Sequence, residues 1–367
     1  MTIYFLPLFG LYFVLLLALR VGWSSSVVKR EKRLVHEHYF ISIVIPVRNE
    51  ENNIGTLMNG LINQNYSALD FEVIIVDDHS TDGTFRRMNE CKGVLQNLSI
   101  ITLPEKENGK KAGLSCGINH SKGNIIATTD ADCLVPPDWL TIINSAFQNP
   151  KINLAAGMVA IADEREFFSR WQAMEFASVM GTSAGMFGLN NPIMCNGANL
   201  SFRKEVFKKV SGYEGNEHIA SGDDEFLLRK ISNQFPGSVQ ILNSIVITQP
   251  QNSLKEFFQQ RIRWASKWKE NPSIGAKLGA VFILCIQVSW IVLFLRISID
   301  SYKVSLVIIA LKIIGDLFFL LPLFRFLKIK FRLIPFLGLQ FLYPFYVIFI
   351  GLLSPWIGFR WKARKIL

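Results

Sequence analysis

ISIVIPVRNE (residues 41–50) and FEVIIVDDHSTDGT (residues 71–84) are apolar runs that end in polar clusters, with about twenty residues of helical spacing between the runs. A short continuous apolar run suits a strand buried on both faces, and two of them joined by a helix make a βαβ unit. Similar runs at 98–103, 124–129, 152–160 and 239–248 extend the pattern. The chain is therefore expected to hold an α/β domain with an open sheet covered by helices. In such sheets ligands collect at the carboxyl ends of strands. The polar clusters stand at those ends.

Neither cluster has the GxGxxG glycines of a dinucleotide fold or the GxxxxGK[ST] of a P-loop, so NAD binding and ATP hydrolysis lose support. Their acids offer acceptors for base N–H groups and ribose hydroxyls, although residues 77–84 also read as a helix cap with turn residues. A third cluster, TDAD (residues 129–132), comes after another apolar run. Asp130 and Asp132, spaced i, i+2, can converge on one hard divalent cation that bridges a diphosphate. Before it lies GKKAG (residues 109–113), where a Lys can neutralise phosphate and glycines permit close approach, or which is simply a solvated basic loop. Further on, SGDDEF (residues 221–226) opens a helix. A carboxylate at such a junction can take a proton from a hydroxyl or merely cap the helix.

Outward from this centre the chain turns apolar. Residues 3–19 form an uninterrupted apolar run with Arg20, Lys29, Arg30, Lys32 and Arg33 behind it, the reverse of a cleaved signal peptide. It reads as an uncleaved anchor, and the positive-inside rule places the central region in the cytoplasm. Three more stretches, at 278–299, 304–324 and 333–353, are each near the roughly 20 residues a bilayer core requires. Four plain crossings would leave Arg360, Lys362, Arg364 and Lys365 outside, so one segment is expected not to cross. The last, with Pro335, Gln340, Pro344 and Pro355 in or beside it, is the expected broken, re-entrant or interfacial one. Lys312 and Asp316 share a helical face as a structural pair, with a substrate-path role as the alternative. Residues 254–269 mix aromatic and basic side chains as a helix at headgroup level does, or as an amphipathic helix packed on the soluble domain does.

The formal charge of +10 suggests nucleic acid by its total, but its placement excludes that. Residues 278–367 hold 11 Lys and Arg against Asp300 and Asp316, residues 20–38 carry a balance of +3, and residues 39–277 come to about −2. The five cysteines include no CxxC pair, which indicates neither a zinc site nor a disulfide framework. Cys133, beside two Asp residues, is either near the chemistry or small packing material.

In chain order, PVRNE, VDDHSTDGT, GKKAG, DAD, NGAN (residues 196–199), GDDEF and QRIRW (residues 260–264) resemble the motif series of membrane-bound family-2 glycosyltransferases. The match covers residues 41–264, and the flanking apolar segments agree with the cellulose, hyaluronan and poly-N-acetylglucosamine synthase side of that family. The resemblance implies a GT-A fold and an inverting, one-displacement transfer from a nucleotide-sugar, usually a UDP-sugar, to an acceptor hydroxyl. The expected location is a bacterial inner membrane, with the catalytic domain cytoplasmic.

Carried onto this chain, the resemblance implies Pro46, Arg48, Glu50 and Asp78 at the base and ribose, with Lys110 and Asp130 at the base, ribose or diphosphate. Asp132 would ligate Mg2+ or Mn2+, and Asp224 would be the general base. Asp223 stands where the family has Glu, which keeps both carboxylates in play, and Lys111 could replace Lys110. Asn199, Gln260 and Trp264 would meet the acceptor or the diphosphate, and Arg263 would offset leaving-group charge. The expected organisation is an anchor (1–22), a GT-A domain (39–250), an interfacial segment with QxxRW (251–277) and a membrane region of two or three spans (278–367). The expected partners are the donor, a glycan or lipid-linked acceptor and membrane lipids, with no nucleic acid. Single-sugar transfer to a lipid-linked acceptor and a catalytically silent nucleotide-sugar-binding subunit are the alternatives.

Overall fold

The computed structural model describes residues 2–27, 37–162, 166–217, 219, 221–266, 273–296, 302–353, 359–361 and 364–366. The basic residues at 29–33, Pro355, Lys362 and the Lys267, Trp268 and Lys269 end of the interfacial segment lie outside the described residues. In chain order the first elements are α1 (Phe5–Ser26), β1 (Ile41–Val47), α2 (Ile54–Ile62), β2 (Phe71–Asp77), α3 (Thr84–Cys91), β3 (Leu98–Thr102) and α4 (Lys110–His120). Then come β4 (Ile125–Thr128), β5 (Cys133–Leu134), α5 (Trp139–Phe147), β6 (Leu154–Ile161), α6 (Phe167–Gly188), β7 (Leu200–Arg203), α7 (Lys204–Lys209) and α8 (Asp223–Gln234). The last are β8 (Val239–Thr248), α9 (Leu254–Ser266), α10 (Ile274–Arg296), α11 (Tyr302–Phe326), α12 (Leu333–Leu353), β9 (Phe359–Trp361) and β10 (Arg364–Ile366).

The chain divides into two compact units. One comprises Ser25–Ala160 and Met186–Gln249 and holds the sheet. Its eight strands run β3-β2-β1-β4-β7-β6-β8-β5. The four from β3 to β4 are parallel, with Ile43 level with Val73 and with Ala127, whereas β7 runs antiparallel to both β4 and β6. Every residue of β2 is buried and β1 is buried except at Pro46, which is why both read as continuous apolar runs. Parallel alignment brings the carboxyl ends of β1, β2 and β4 to one edge. Helix α4 lies close on this core, since a Cβ at Gly113 would fall 2.9 Å from Pro46 Cβ and one at Gly117 would clash with Val44.

The other unit comprises Met1–Ser24, Ile161–Gly185 and Pro250–Leu367, and its described elements are helices apart from the end of β6 and the β9–β10 hairpin. Four of its helices, α1, α10, α11 and α12, are long and apolar enough to cross a membrane. Large apolar side chains such as Val14, Leu278, Leu295, Ile314 and Phe345 face outward from them. Inside, the expected Lys312–Asp316 pair forms at 2.9 Å, and it is part of a larger network. Tyr12 of α1 donates to Asp316 at 2.7 Å, while Gln340 of α12 accepts from Lys312 at 2.6 Å and donates to Asp316 at 2.9 Å. The Trp290 indole of α10 donates to the Gln340 carbonyl at 2.9 Å. Helix α12, expected to be broken, re-entrant or interfacial, is not broken: it is continuous through Pro344, and Gln340 joins the network without interrupting the helix. Helix α6 was not expected, because its small and apolar residues surround the axis. Ala173, Met174, Phe176, Ala177, Met180 and Ala184 are all buried, so it shows no apolar stripe.

Candidate active site

The loops after β1 and β2 are knitted together by short polar side chains. Asn49 and His79 both adopt left-handed backbone (φ 52° and 55°), which lets the two loops turn sharply past each other. Asn49 N–H donates to Ser80 Oγ at 3.1 Å, and Thr81 N–H donates to Asn49 Oδ1 at 2.8 Å. The Arg48 guanidinium donates to the carbonyls of Asp78 and His79, the latter at 3.0 Å. Glu50 is buried, with its N–H on Thr84 Oγ1 at 2.7 Å and its carboxylate accepting from Asn53 at 2.7 Å. Pro46 is half-buried under α4.

Asp78 is buried and accepts the Gly109 N–H at 3.0 Å. Gly109 has φ 93°, a conformation in which a side chain would be strained, and it delivers Lys110 as the first residue of α4. From there the Lys110 ammonium reaches Asp130 at 2.6 Å and Asp223 at 3.8 Å. Burial pulls the ammonium pKa down, but Asp130, Asp223 and Asp224 outweigh that and hold it well above the ordinary lysine range, so Lys110 stays charged. Lys111 points elsewhere. Its ammonium donates to the carbonyls of Asn216 and Ile219, the latter at 2.9 Å, and lies over the Phe226 ring. Lys111 thus pins the segment before α8, and Lys110 is the lysine that meets the acids.

Asp223 and Asp224 open α8 after Gly222, whose φ of 80° is left-handed. Burial pushes the Asp223 carboxyl pKa up; Lys110 opposes this while Asp224 and Asp130 add to it. Asp224 Oδ2 accepts the Gly197 N–H at 3.0 Å and Oδ1 accepts the Glu225 N–H at 2.7 Å. The Gly197 carbonyl in turn accepts from Thr128 Oγ1 at 2.7 Å, which ties the NGAN turn to the end of β4. A Cβ at Gly197 would stand 3.1 Å from Asp223 Oδ2 and 3.4 Å from Lys110 Nζ, so glycine leaves the acids room. Asn199 is fully buried, and its amide accepts from the Trp139 indole at 2.9 Å and donates to Met158 O at 3.0 Å. It braces α5, β6 and the turn from behind.

Asp132 is half-buried, with Thr248 Oγ1 donating to its Oδ2 at 3.4 Å. Among the described residues no three His, Cys, Asp or Glu side chains form a cation cage. An ion of the Mg2+ type needs none, since one or two carboxylates with waters and substrate phosphates complete its shell. The oxygen-only donor at Asp132 fits such an ion. Burial, with Asp132 and Asp130 adding, holds the Cys133 thiol pKa well above its ordinary value, so Cys133 is packing and not a nucleophile. Gln260, Arg263 and Trp264 lie together on α9, in the helical unit.

Three contributors are not legible in the sequence. Gly197 holds Asp224 through a main-chain N–H, which a residue type does not announce. Thr128 holds Gly197 in place. Tyr213 is buried nearby, and burial, with Asp223 and Asp224 adding, keeps its phenol protonated. The NGAN turn is the available signal for the first two.

Residues 42–211 match the family described as Glycosyl transferase family 2. The match spans slightly less than half of the chain. Glycosyltransferase AglE of Haloferax volcanii is 28% identical over 193 residues, which are 50% of this chain and 59% of that protein. The beta-monoglucosyldiacylglycerol synthase of a Nostoc species is 33% identical over 140 residues, 38% of this chain and 30% of that protein. The chain therefore covers less than two thirds of each of these relatives. Among solved structures, the mannosyltransferase PcManGT from Pyrobaculum calidifontis, in complex with GDP-Man and Mn2+, superposes with a TM-score of 0.59 at 16% identity. That likeness spans 96% of this chain and 97% of the other, and it shows the shared GT-A fold.

Proposed function

We propose that the protein is a membrane-bound inverting glycosyltransferase that moves a sugar from a nucleotide-sugar donor to an acceptor hydroxyl at the cytoplasmic membrane face. The observation that carries this reading is the meeting of Lys110, Asp130, Asp223 and Asp224 beside the Gly197 turn, at the edge where the parallel strands end. A transfer of this kind must strip a proton from the acceptor as its oxygen attacks the anomeric carbon, and must let a diphosphate leave with its charge compensated.

Asp224 takes the proton. Its two main-chain N–H bonds fix the carboxylate in place, which orients it for one acceptor. Asp78, Arg48 and Glu50, with Pro46, border the base and ribose. Lys110 and Asp130 stand toward the ribose and diphosphate, and the fixed positive charge of Lys110 favours phosphate. Asp132 would hold a divalent cation, which would supply charge compensation to the diphosphate. The Mn2+ of the PcManGT complex supports the presence of a divalent cation, and its assignment to Asp132 rests on the motif resemblance. Gln260, Trp264 and Arg263 are assigned to the acceptor end and the diphosphate on the motif resemblance.

A UDP-sugar donor and a growing glycan acceptor accord with the QRIRW type of motif. A single transfer to a lipid is the second reading, favoured by the name of the Nostoc relative, a synthase of a glucosylated diacylglycerol. The test incubates purified protein with a panel of UDP- and GDP-sugars and Mg2+ or Mn2+, follows nucleotide release and sizes the product. Release is expected from the wild type and not from Asp224→Asn, which still binds donor. Full activity in Asp224→Asn would overturn the base assignment. A ladder of long chains supports the glycan acceptor, and one sugar added to a lipid supports the second reading.

A further inference from the structure

Arg261, inside QRIRW, is 3% exposed. Its guanidinium pairs with Glu175 of α6, also 3% exposed, at 2.5 Å. The same fork donates to Gln260 Oε1 at 2.7 Å and lies over the Trp264 ring, 4.2 Å from its centre. Phe257 supports it at 4.6 Å, and Tyr346 of α12 donates to the other Glu175 oxygen at 3.5 Å. Arg261 Nε has no partner among the described residues.

Burying two charges costs several kcal/mol before their attraction offsets it, and an apolar pair of similar volume would hold helices together as well. Helix cohesion alone therefore gives no reason for this pair. The planar guanidinium does what an apolar residue or a lysine cannot, reaching a carboxylate, an amide oxygen and an indole face at once. Binding the oxygen of the Gln260 amide also leaves its NH2 to donate.

We propose that the buried Glu175–Arg261 pair is a positioning device that presets the Gln260 amide and the Trp264 indole, so that the amide donates its N–H groups to a phosphate or acceptor oxygen. Its kinetic consequence rests on the glycosyltransferase reading above. Arg261 acts through Gln260 and Trp264 and touches no reacting atom.

The test uses the full chain in detergent or lipid nanodiscs, with the variants Arg261→Lys and Glu175→Gln. Two readouts are taken beside the thermal midpoint. One is nucleotide release from the donor panel, resolved into kcat and KM. The other is Trp264 emission, isolated as the difference between each protein and its Trp264→Phe counterpart. Arg261→Lys, which keeps the charge and loses the fork, is expected to keep the wild-type midpoint, lose about 10–100-fold in kcat with donor KM within about twofold, and red-shift the Trp264 emission. Glu175→Gln, which keeps the shape and frees the guanidinium, is expected to show the same shift. Wild-type kcat and unshifted emission in Arg261→Lys would overturn the proposal, because charge alone would then suffice. Should the wild type turn over no nucleotide sugar, the functional reading falls, while the emission arm still decides whether the pair sets Trp264.

Discussion

Lys110 is the cation on which Asp130 and Asp223 converge, with Asp224 adjoining them, and its removal separates the roles of the acids. Lys110→Met leaves those carboxylates facing one another, so nucleotide release should fall by at least about 100-fold and donor affinity should drop in titration calorimetry. The two neighbouring acids can also be told apart. The Asp223 pKa is raised by burial, so the fold favours its protonated form. A carboxylate whose pKa is higher in the folded state adds stability below its unfolded value and loses it as pH rises through the folded value. Above the folded value that contribution is lost, and Asp223→Asn should raise the thermal midpoint there. The gain should disappear as pH falls below the ordinary carboxylate range of about 3.9. Asp224→Asn should abolish transfer by about 100- to 10,000-fold, as loss of a general base does, whereas Asp223→Asn should cost less. Equal losses of kcat in the two variants would contradict the assignment of the base to Asp224.

At the scale of elements, the fit of α4 on the sheet sets where Lys110 stands. Gly117 lies so close to Val44 and Val76 that any side chain must displace them, whereas a Cβ at Gly55 in α2 meets nothing within 4 Å. Gly117→Val should therefore cost about 1–3 kcal/mol by overpacking, and Gly55→Ala should gain about 0.5–1 kcal/mol by helix propensity, both read from denaturant melts. The elements also show what the sequence made legible. Strands β1 and β2 announce themselves because burial on both faces demands unbroken Ile and Val, and the acids come at their ends. Helix α6 did not, because burial on all sides removes the apolar stripe by which a helix is read. The choice between Lys110 and Lys111 was equally hidden. Adjacent helix residues point about 100° apart, and only the fold shows which one meets Asp130. The hold of Gly197 on Asp224 is a main-chain bond across 27 residues, which no side-chain pattern encodes.

At the scale of the whole molecule, the helical unit is assembled from three separate stretches of chain, which come before, inside and after the sheet unit in sequence. Its polar interior joins residues far apart, Tyr12 and Asp316 being 304 positions distant. Its interior network brings Tyr12 of α1 and Gln340 of α12 onto the Lys312–Asp316 pair of α11, while Trp290 of α10 donates to the Gln340 carbonyl and its ring centre lies 4.7 Å from the Lys312 ammonium. Each of these groups has a partner, so the network reads as a register device for four helices and not as a transport path. Asp316→Leu strands the Lys312 charge in an apolar interior and should cost about 3–5 kcal/mol, seen as a lowered thermal midpoint in detergent. The double variant Lys312→Met with Asp316→Leu removes both charges and should recover most of that loss. A double variant as unstable as the single one would mean that Tyr12 and Gln340, left without Asp316, carry the cost, and that the network is worth more than its ion pair.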